Sequence, residues 1–214
     1  LALTVSAILL IVGIPLGYWL AYSHKRWKFF VEAVVALPIV LPPTVLGFYV
    51  LVAIGPLSPV GRWYQSVVGH PLAFTFAGLV VGSVLYSLPF AVQPMATSFA
   101  AIDRKLLDAS SLLGASRWRT FRRIVLPLGL PGVLTGFVLS FAHTLGEFGV
   151  VLMIGGNIPG ATRTISILIF DQVEALDYAA ANRTALLLLV LCFALLAALY
   201  RLRRSGVWNV WGWK

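Results

Sequence analysis

An all-α polytopic membrane protein is the fold class this sequence predicts, and three observations carry it. Charge is scarce: 16 Lys and Arg and 7 Asp and Glu in 214 residues, or 11%, against about a quarter in a soluble domain. Sixty per cent of the residues are hydrophobic, which also excludes disorder. Uncharged runs long enough to cross a bilayer, about 20 residues each, recur along the chain. A collagen-like or disulfide-stapled scaffold fails on 19 glycines without a triplet period and a single cysteine, Cys192.

Leu1 to Ser23, Ala33 to Gly61, Trp63 to Ile102, Ile124 to Gly146 and Thr184 to Tyr200 contain no Asp, Glu, Lys or Arg. These runs predict five spanning helices, at about 1–22, 33–55, 72–95, 128–150 and 182–201. Ala179 to Ala181 extend the last one upstream. The link 96–127 is the longest, and the whole chain, 1–214, reads as one transmembrane domain. The sequence begins without Met inside an apolar run, so further sequence upstream, with room for another span, is expected. A cleaved signal peptide is not, because the first run is too long for its apolar core.

Five spans put the termini on opposite sides, and basic residues choose which. Lys25, Arg26 and Lys28 follow the first span. Arg104, Lys105, Arg117, Arg119, Arg122 and Arg123 follow the third. Arg201, Arg203, Arg204 and Lys214 lie in the tail. These alternate segments hold 13 basic residues, whereas the opposite face holds Arg62, Arg163 and Arg183. The asymmetry predicts an N-terminus outside and a cytoplasmic tail. It also accounts for the net charge of +9 without a nucleic-acid-binding face. Trp208, Trp211 and Trp213 read as an interfacial anchor after the last span.

Within the spans, Pro38, Pro42 and Pro43 interrupt the second. Proline removes a helical hydrogen bond and clashes with the preceding turn. Such a break reads either as a packing kink or as the lining of a water-filled path. Gly13-x3-Gly17, Gly78-x3-Gly82 and Gly132-x3-Gly136 are small-residue spacings that permit close helix contact. His143 and Glu147 sit four apart, on one face if the helix continues. Glu147 is either a functional group at membrane depth or half of a local pair holding a bend between Gly146 and Gly149. After a turn at Gly156, Asn157, Pro159 and Gly160, Ile165, Leu168, Ile169, Val173 and Leu176 recur at helical spacing opposite Asp171, Gln172, Glu174 and Asp177. This predicts an amphipathic element outside the bilayer, serving as a docking surface or as a cap.

Several chemistries are absent. No G-x-x-x-x-G-K-[ST] loop exists for a nucleotide, no H-E-x-x-H for zinc and no G-x-S-x-G nucleophile turn. The chain reads as one that moves a cargo rather than converting it, powered by an ion gradient or by a separate ATPase.

The 96–127 link carries the most specific pattern. Asp103 suits a helix N-cap, Leu106, Leu107, Ser110 and Leu113 or Gly114 recur at helical spacing, and Gly114 suits a helix stop. Ser116 can cap a second short helix that Pro127 closes. Two short helices around a tight turn are expected, with little bulk at Ala109, Ser110 and Gly114.

The spacing Asp108-Ala109-Ser110-x3-Gly114-x9-Ile124-x-Leu126-Pro127 resembles the E-A-A-x3-G-x9-I-x-L-P loop of ABC-importer permeases, with Asp for Glu and Ser for the second Ala. The resemblance implies the type I ABC importer permease fold. It also implies that this loop is a coupling helix docking on a cytoplasmic ATPase, with Asp108, Ala109, Ser110 and Gly114 at the contact and Arg117 and Arg119 nearby. The stretches Thr144-Leu-Gly146-Glu147-Phe148-Gly149 and Gly156-Asn157-Ile158-Pro159-Gly160-Ala-Thr162-Arg163-Thr164-Ile165 are similar to those of the molybdate permease subfamily, as is Leu37-Pro38-x3-Leu41-Pro42-Pro43.

That likeness implies a multi-pass permease of the cytoplasmic membrane that is not itself an enzyme. Five spans are few for a transporter, so a homodimer with the path between two copies is expected. Two ATPase subunits using ATP and Mg would bind below, and an external oxyanion-binding protein would deliver molybdate. The chain itself would bind no cofactor. Pro38, Pro42, Pro43, Thr144, Glu147 and Phe148 are the candidates for lining the path. Sulfate or tungstate is the competing cargo. A gradient-driven carrier without an ATPase leaves the loop spacing unexplained.

Overall fold

The computed structural model describes residues 1–204, and these are helical with no strand among them. The Trp208, Trp211 and Trp213 anchor lies outside the described residues, as do Lys214 and the side chains of Arg203 and Arg204.

Three long helices form the core: α1 (Ala2–Tyr22), α5 (Phe76–Ala100) and α8 (Leu126–Gly146). Val5 and Leu9 of α1, Ala91, Met95 and Phe99 of α5, and Val133 of α8 are buried together. In a bilayer this packing is held by close van der Waals contact, which small residues allow. A Cβ on Gly17 would come 3.0 Å from the Met95 side chain, and one on Gly136 would come 2.6 Å from the Ala91 carbonyl. The glycine spacings therefore mark real helix contacts.

The ends of α1 and α5 lie side by side, because Tyr22 Oη donates to the Phe99 carbonyl at 2.7 Å. At the opposite end Leu1 packs near Leu79. The two helices are thus parallel, and the chain must return between them. It does so through α2 (Lys28–Val40) and α3 (Pro43–Ile54), bent by 115°. The expected continuous helix over 33–55 is therefore a broken pair that starts earlier. A residue before proline is pushed to extended backbone, and here two follow in sequence: Leu41 (ψ 137°) and Pro42 (ψ 134°). Pro43 then opens α3 from the first helical position, where proline costs nothing. Pro38 stays inside α2 without ending it.

An amphipathic helix the sequence reading did not separate, α4 (Pro59–Val68), follows. Ser58 Oγ accepts from Gly61 N at 2.8 Å to begin it. The third span starts four residues later than expected and runs five further, to Ala100, with Pro89 and Pro94 inside it. Neighbouring helices on both sides make such prolines tolerable.

The link to α8 contains α6 (Arg104–Leu112) and α7 (Arg117–Thr120). Contrary to expectation, Pro127 does not close α7. A π turn over Phe121–Val125 carries the helix straight into α8, and Pro127 sits in its first turn. The fourth span ends at Gly146, and a separate short helix, α9 (Gly149–Gly155), takes up the rest of the expected range. The outer amphipathic element is α10 (Ile165–Glu174), and α11 (Tyr178–Arg204) is the last span. Among the described residues, four helical runs are long and apolar enough to cross a membrane, and α2 with α3 makes a fifth when counted as one span.

Candidate functional site

The α5–α8 link is built as a firmly seated knob. Asp103 Oδ1 accepts from Lys105 N at 2.9 Å, capping α6. Ala115 N donates to the Ser110 carbonyl at 3.1 Å and Gly114 N to Ser111 at 3.0 Å, closing the helix C-terminus. Gly114 has φ +74° with open space where a Cβ would stand. That left-handed conformation is why glycine ends the helix here. Ser116 Oγ accepts from Arg119 N at 3.3 Å to start α7. Leu107, Phe121 and Leu126 pack on the α1–α5–α8 core, and Ile124 is half-buried beside them.

The outward side of the knob carries Asp108, Ala109, Gly114, Arg117 and Arg119, all exposed. Ser110, expected at a docking contact, is buried instead: its Oγ lies 2.8 Å from Thr120 Oγ1 and ties α6 to α7. Its place at the tip is taken by Leu112 and Leu113, 88% and 87% exposed. The sequence signal for them was available, since two leucines precede the helix-ending glycine.

At the other end of the bundle, α8 stops at Glu147, whose backbone turns extended. Its carboxyl is buried, and the alternative of a local pair with His143 is met at ion-pair range only. Their closest approach is 3.6 Å, beyond a hydrogen bond. Ser83 Oγ donates to Oε2 at 2.5 Å and Ser87 Oγ to Oε1 at 2.6 Å, both from α5. With the Ser87 hydrogen so used, His143 Nδ1, 2.9 Å from Ser87 Oγ, must carry the proton of that contact. The His143 ring stacks on Phe90 at 3.9 Å between centroids. Ser83 and Ser87 escaped the sequence reading because their partner lies about sixty positions away; two serines four apart in an apolar span were the clue.

Of the expected path-lining residues, Pro43, Glu147 and Phe148 come together, in a cleft of about 480 Å³ with Thr44, Tyr86 and His143. Thr144 instead points into the bundle, donating to the Ser140 carbonyl at 2.9 Å. Pro38 is buried and Pro42 is exposed at the α2–α3 bend.

The Asn157 to Thr164 stretch folds into a lock. Thr162 Oγ1 donates to the Gly155 carbonyl at 2.6 Å and accepts from Ile158 N at 3.0 Å. Asn157, at φ +53°, donates to Asp171 at 3.0 Å and accepts from Arg163 Nε at 2.9 Å. Arg163 also pairs with Asp171 at 3.4 Å. Ser166 Oγ donates to the Leu145 carbonyl at 2.9 Å, fixing α10 over the end of α8. Among the described residues no group of three His, Cys, Asp or Glu side chains is placed to hold a metal.

This chain is similar to the molybdenum transport system permease protein ModB of Azotobacter vinelandii, 53% identical over 95% of this chain and 90% of that protein. A more distant relative is the probable sulfate transport system permease protein cysT of Chlorella vulgaris, 34% identical over 83% of this chain and 67% of that one. In structure it resembles the inward-facing methionine ABC transporter MetNI, with a TM-score of 0.70 and 18% identity, over 95% of this chain and 90% of that one. At that identity the likeness speaks for the fold, which is that of type I ABC importer permeases. Residues 13–205 match the family described as "Binding-protein-dependent transport system inner membrane component", and the chain belongs to that family.

Proposed function

We propose that this chain is the membrane-spanning permease of an ATP-driven importer whose cargo is molybdate. The observation that carries the reading is near-full-length identity of 53% to a molybdenum permease. The exposed knob between α5 and α8 supports it, since it offers a partner ATPase a surface through which to do work on a chain that has no nucleotide loop of its own. Two copies assemble about a two-fold axis, and two ATPase subunits using ATP and Mg grip the knobs from the cytoplasm. An external binding protein presents the oxyanion to the other face. The basic residues of the described links support a cytoplasmic knob and an N-terminus outside.

Closure of the ATPase pair moves α6 and α7 as a lever. The π turn joins that lever to α8 without a flexible joint, so the displacement reaches the Glu147 end. Rigid-body motion of packed helices then exchanges access between the two faces.

The test is reconstitution with the neighbouring ATPase and binding protein in vesicles, following ATP-dependent uptake of labelled molybdate. Molybdate uptake that excess sulfate does not compete with supports the reading. Uptake of sulfate in preference to molybdate reassigns the cargo. Transport by the purified chain alone, without ATPase, overturns it.

A further inference from the structure

Tyr86, Phe90, Gln93, Thr97 and Ala100 fall on one stripe of α5, spaced four, three, four and three residues apart. Three clefts follow that stripe from end to end. The first holds Tyr86 with Pro43, His143 and Glu147, in about 480 Å³. The second holds Phe90, Gln93 and Thr97 with Ile39 and Thr135, also about 480 Å³. The third holds Gln93, Thr97 and Ala100 with Ala36, Lys28 and Glu32, in about 420 Å³.

Gln93 is the residue that decides what this stripe faces. It is exposed and stands seven residues before the end of α5, about 10 Å into the layer at the α-helical rise. Neither its amide nor the Thr97 hydroxyl has a hydrogen-bond partner among the described residues, whereas Ser83, Ser87, Ser98, Thr135, Ser140 and Thr144 all do. An unpaired amide against lipid is costly, so polar groups at that depth face water or protein. The charged groups near it, Lys28 and Glu32, pair with each other at 3.5 Å, leaving the cleft without net charge.

We propose that this α5 stripe is the wall of the translocation path and that Gln93, with Thr97, contacts the oxyanion in transit. The inference rests on the importer reading above. A neutral amide and hydroxyl offer hydrogen-bond donors to a dianion without the Coulomb trap that a cation would set. Phe90, held by its stack on His143, separates this station from the cleft beside Glu147.

The test uses the assembled complex in vesicles. Gln93→Leu is expected to lower molybdate uptake about tenfold, and Gln93→Glu about a hundredfold or more, through like-charge repulsion. Gln93→Asn is expected to restore part of the rate. Gln93→Lys is expected to lower the apparent KM and the maximal rate together. In a Cys192→Ser background, Gln93→Cys should react with a water-soluble thiol reagent, and molybdate should slow that reaction. Equal losses in all four variants irrespective of charge, wild-type uptake in Gln93→Leu, or an unreactive Gln93→Cys in an assembled complex would each overturn the proposal. A wild-type complex that moves no oxyanion would instead overturn the importer reading itself.

Discussion

Ser83 Oγ donates to Glu147 Oε2 at 2.5 Å although the two residues stand 64 positions apart. The bond joins the first third of α5 to the point where α8 gives way to α9. Ser87 adds a second bond to the same carboxyl, so both oxygens are held from one helix. The break at Gly146–Phe148 is therefore not a free hinge. Its position is set by α5, the same helix that ends at the knob.

Removing one member should leave the others short of partners, since Ser83, Ser87 and Glu147 are all buried. Ser83→Ala or Ser87→Ala is expected to cost about 1–3 kcal/mol, the range for a buried polar group deprived of its bond. Glu147→Gln keeps the shape but replaces one acceptor by a donor, and should cost about 1 kcal/mol. Because the three share one network, Ser83→Ala combined with Glu147→Gln should fall short of the sum of the single effects. Thermal unfolding of the purified complex in detergent measures this. Strict additivity would show that the groups do not act together.

The knob makes a separate prediction. Gly114 needs its positive φ, so any other residue carries strain of about 1–2 kcal/mol, least for Asn. Yet a side chain there would meet no atom within 4 Å. Gly114→Asn should therefore retain both folding and uptake, whereas Gly114→Trp should fold but place an indole on the exposed face where the proposed ATPase would dock. ATP hydrolysis that continues while uptake falls about tenfold or more is the expected signature. Uptake at the wild-type rate in Gly114→Trp would remove the knob from the coupling path.

How much of this was legible in the sequence depended on whether a feature is local. The Pro42-Pro43 break could be read because each proline constrains the residue before it. The caps at Asp103 and Ser116 and the stop at Gly114 are likewise set within four residues. Helix α4 was hidden because Arg62 is its one charged residue, so it merged with the apolar runs on either side. Ser110 was misplaced because helical periodicity gives a face but does not say which face the membrane takes; its bond to Thr120 decides that. The Ser83–Glu147 bond and the α5 stripe of clefts needed the relative rotation of packed helices, which no short window contains.

The Asn157–Arg163–Asp171 lock should behave as a partly exposed network. Arg163 and Asp171 side chains are 35% and 30% exposed, so their pair is worth no more than about 0.5–1 kcal/mol after solvent screening. Asn157→Ala loses the amide bonds and adds strain at a positive φ, about 1 kcal/mol for a residue with a Cβ. Asn157→Ala should therefore loosen the loop more than Arg163→Ala does. Hydrogen exchange over residues 156–171 reads the order. A larger effect from Arg163→Ala would show that the ion pair, not the asparagine, holds the turn.

The proposed sidedness rests on two independent facts that must agree. The link after α1 and the knob share one end of the bundle, since Ser23, His24 and Lys25 line the same cleft as Leu107, Arg117 and Trp118. Most of the basic residues sit at that end, and cytoplasmic links are where such residues collect. In a Cys192→Ser background, Ser111→Cys at the knob and Ala175→Cys just past α10 should then label from opposite sides. An impermeant maleimide added to intact right-side-out cells should modify Ala175→Cys alone, and inverted vesicles should reverse the pattern. Ser23→Cys should follow Ser111→Cys in both preparations, because α2 and α3 together return the chain across the membrane. Labelling of Ser23→Cys with Ala175→Cys would mean that the bent pair dips in and leaves on the same side, which the bond between Tyr22 and Phe99 does not permit.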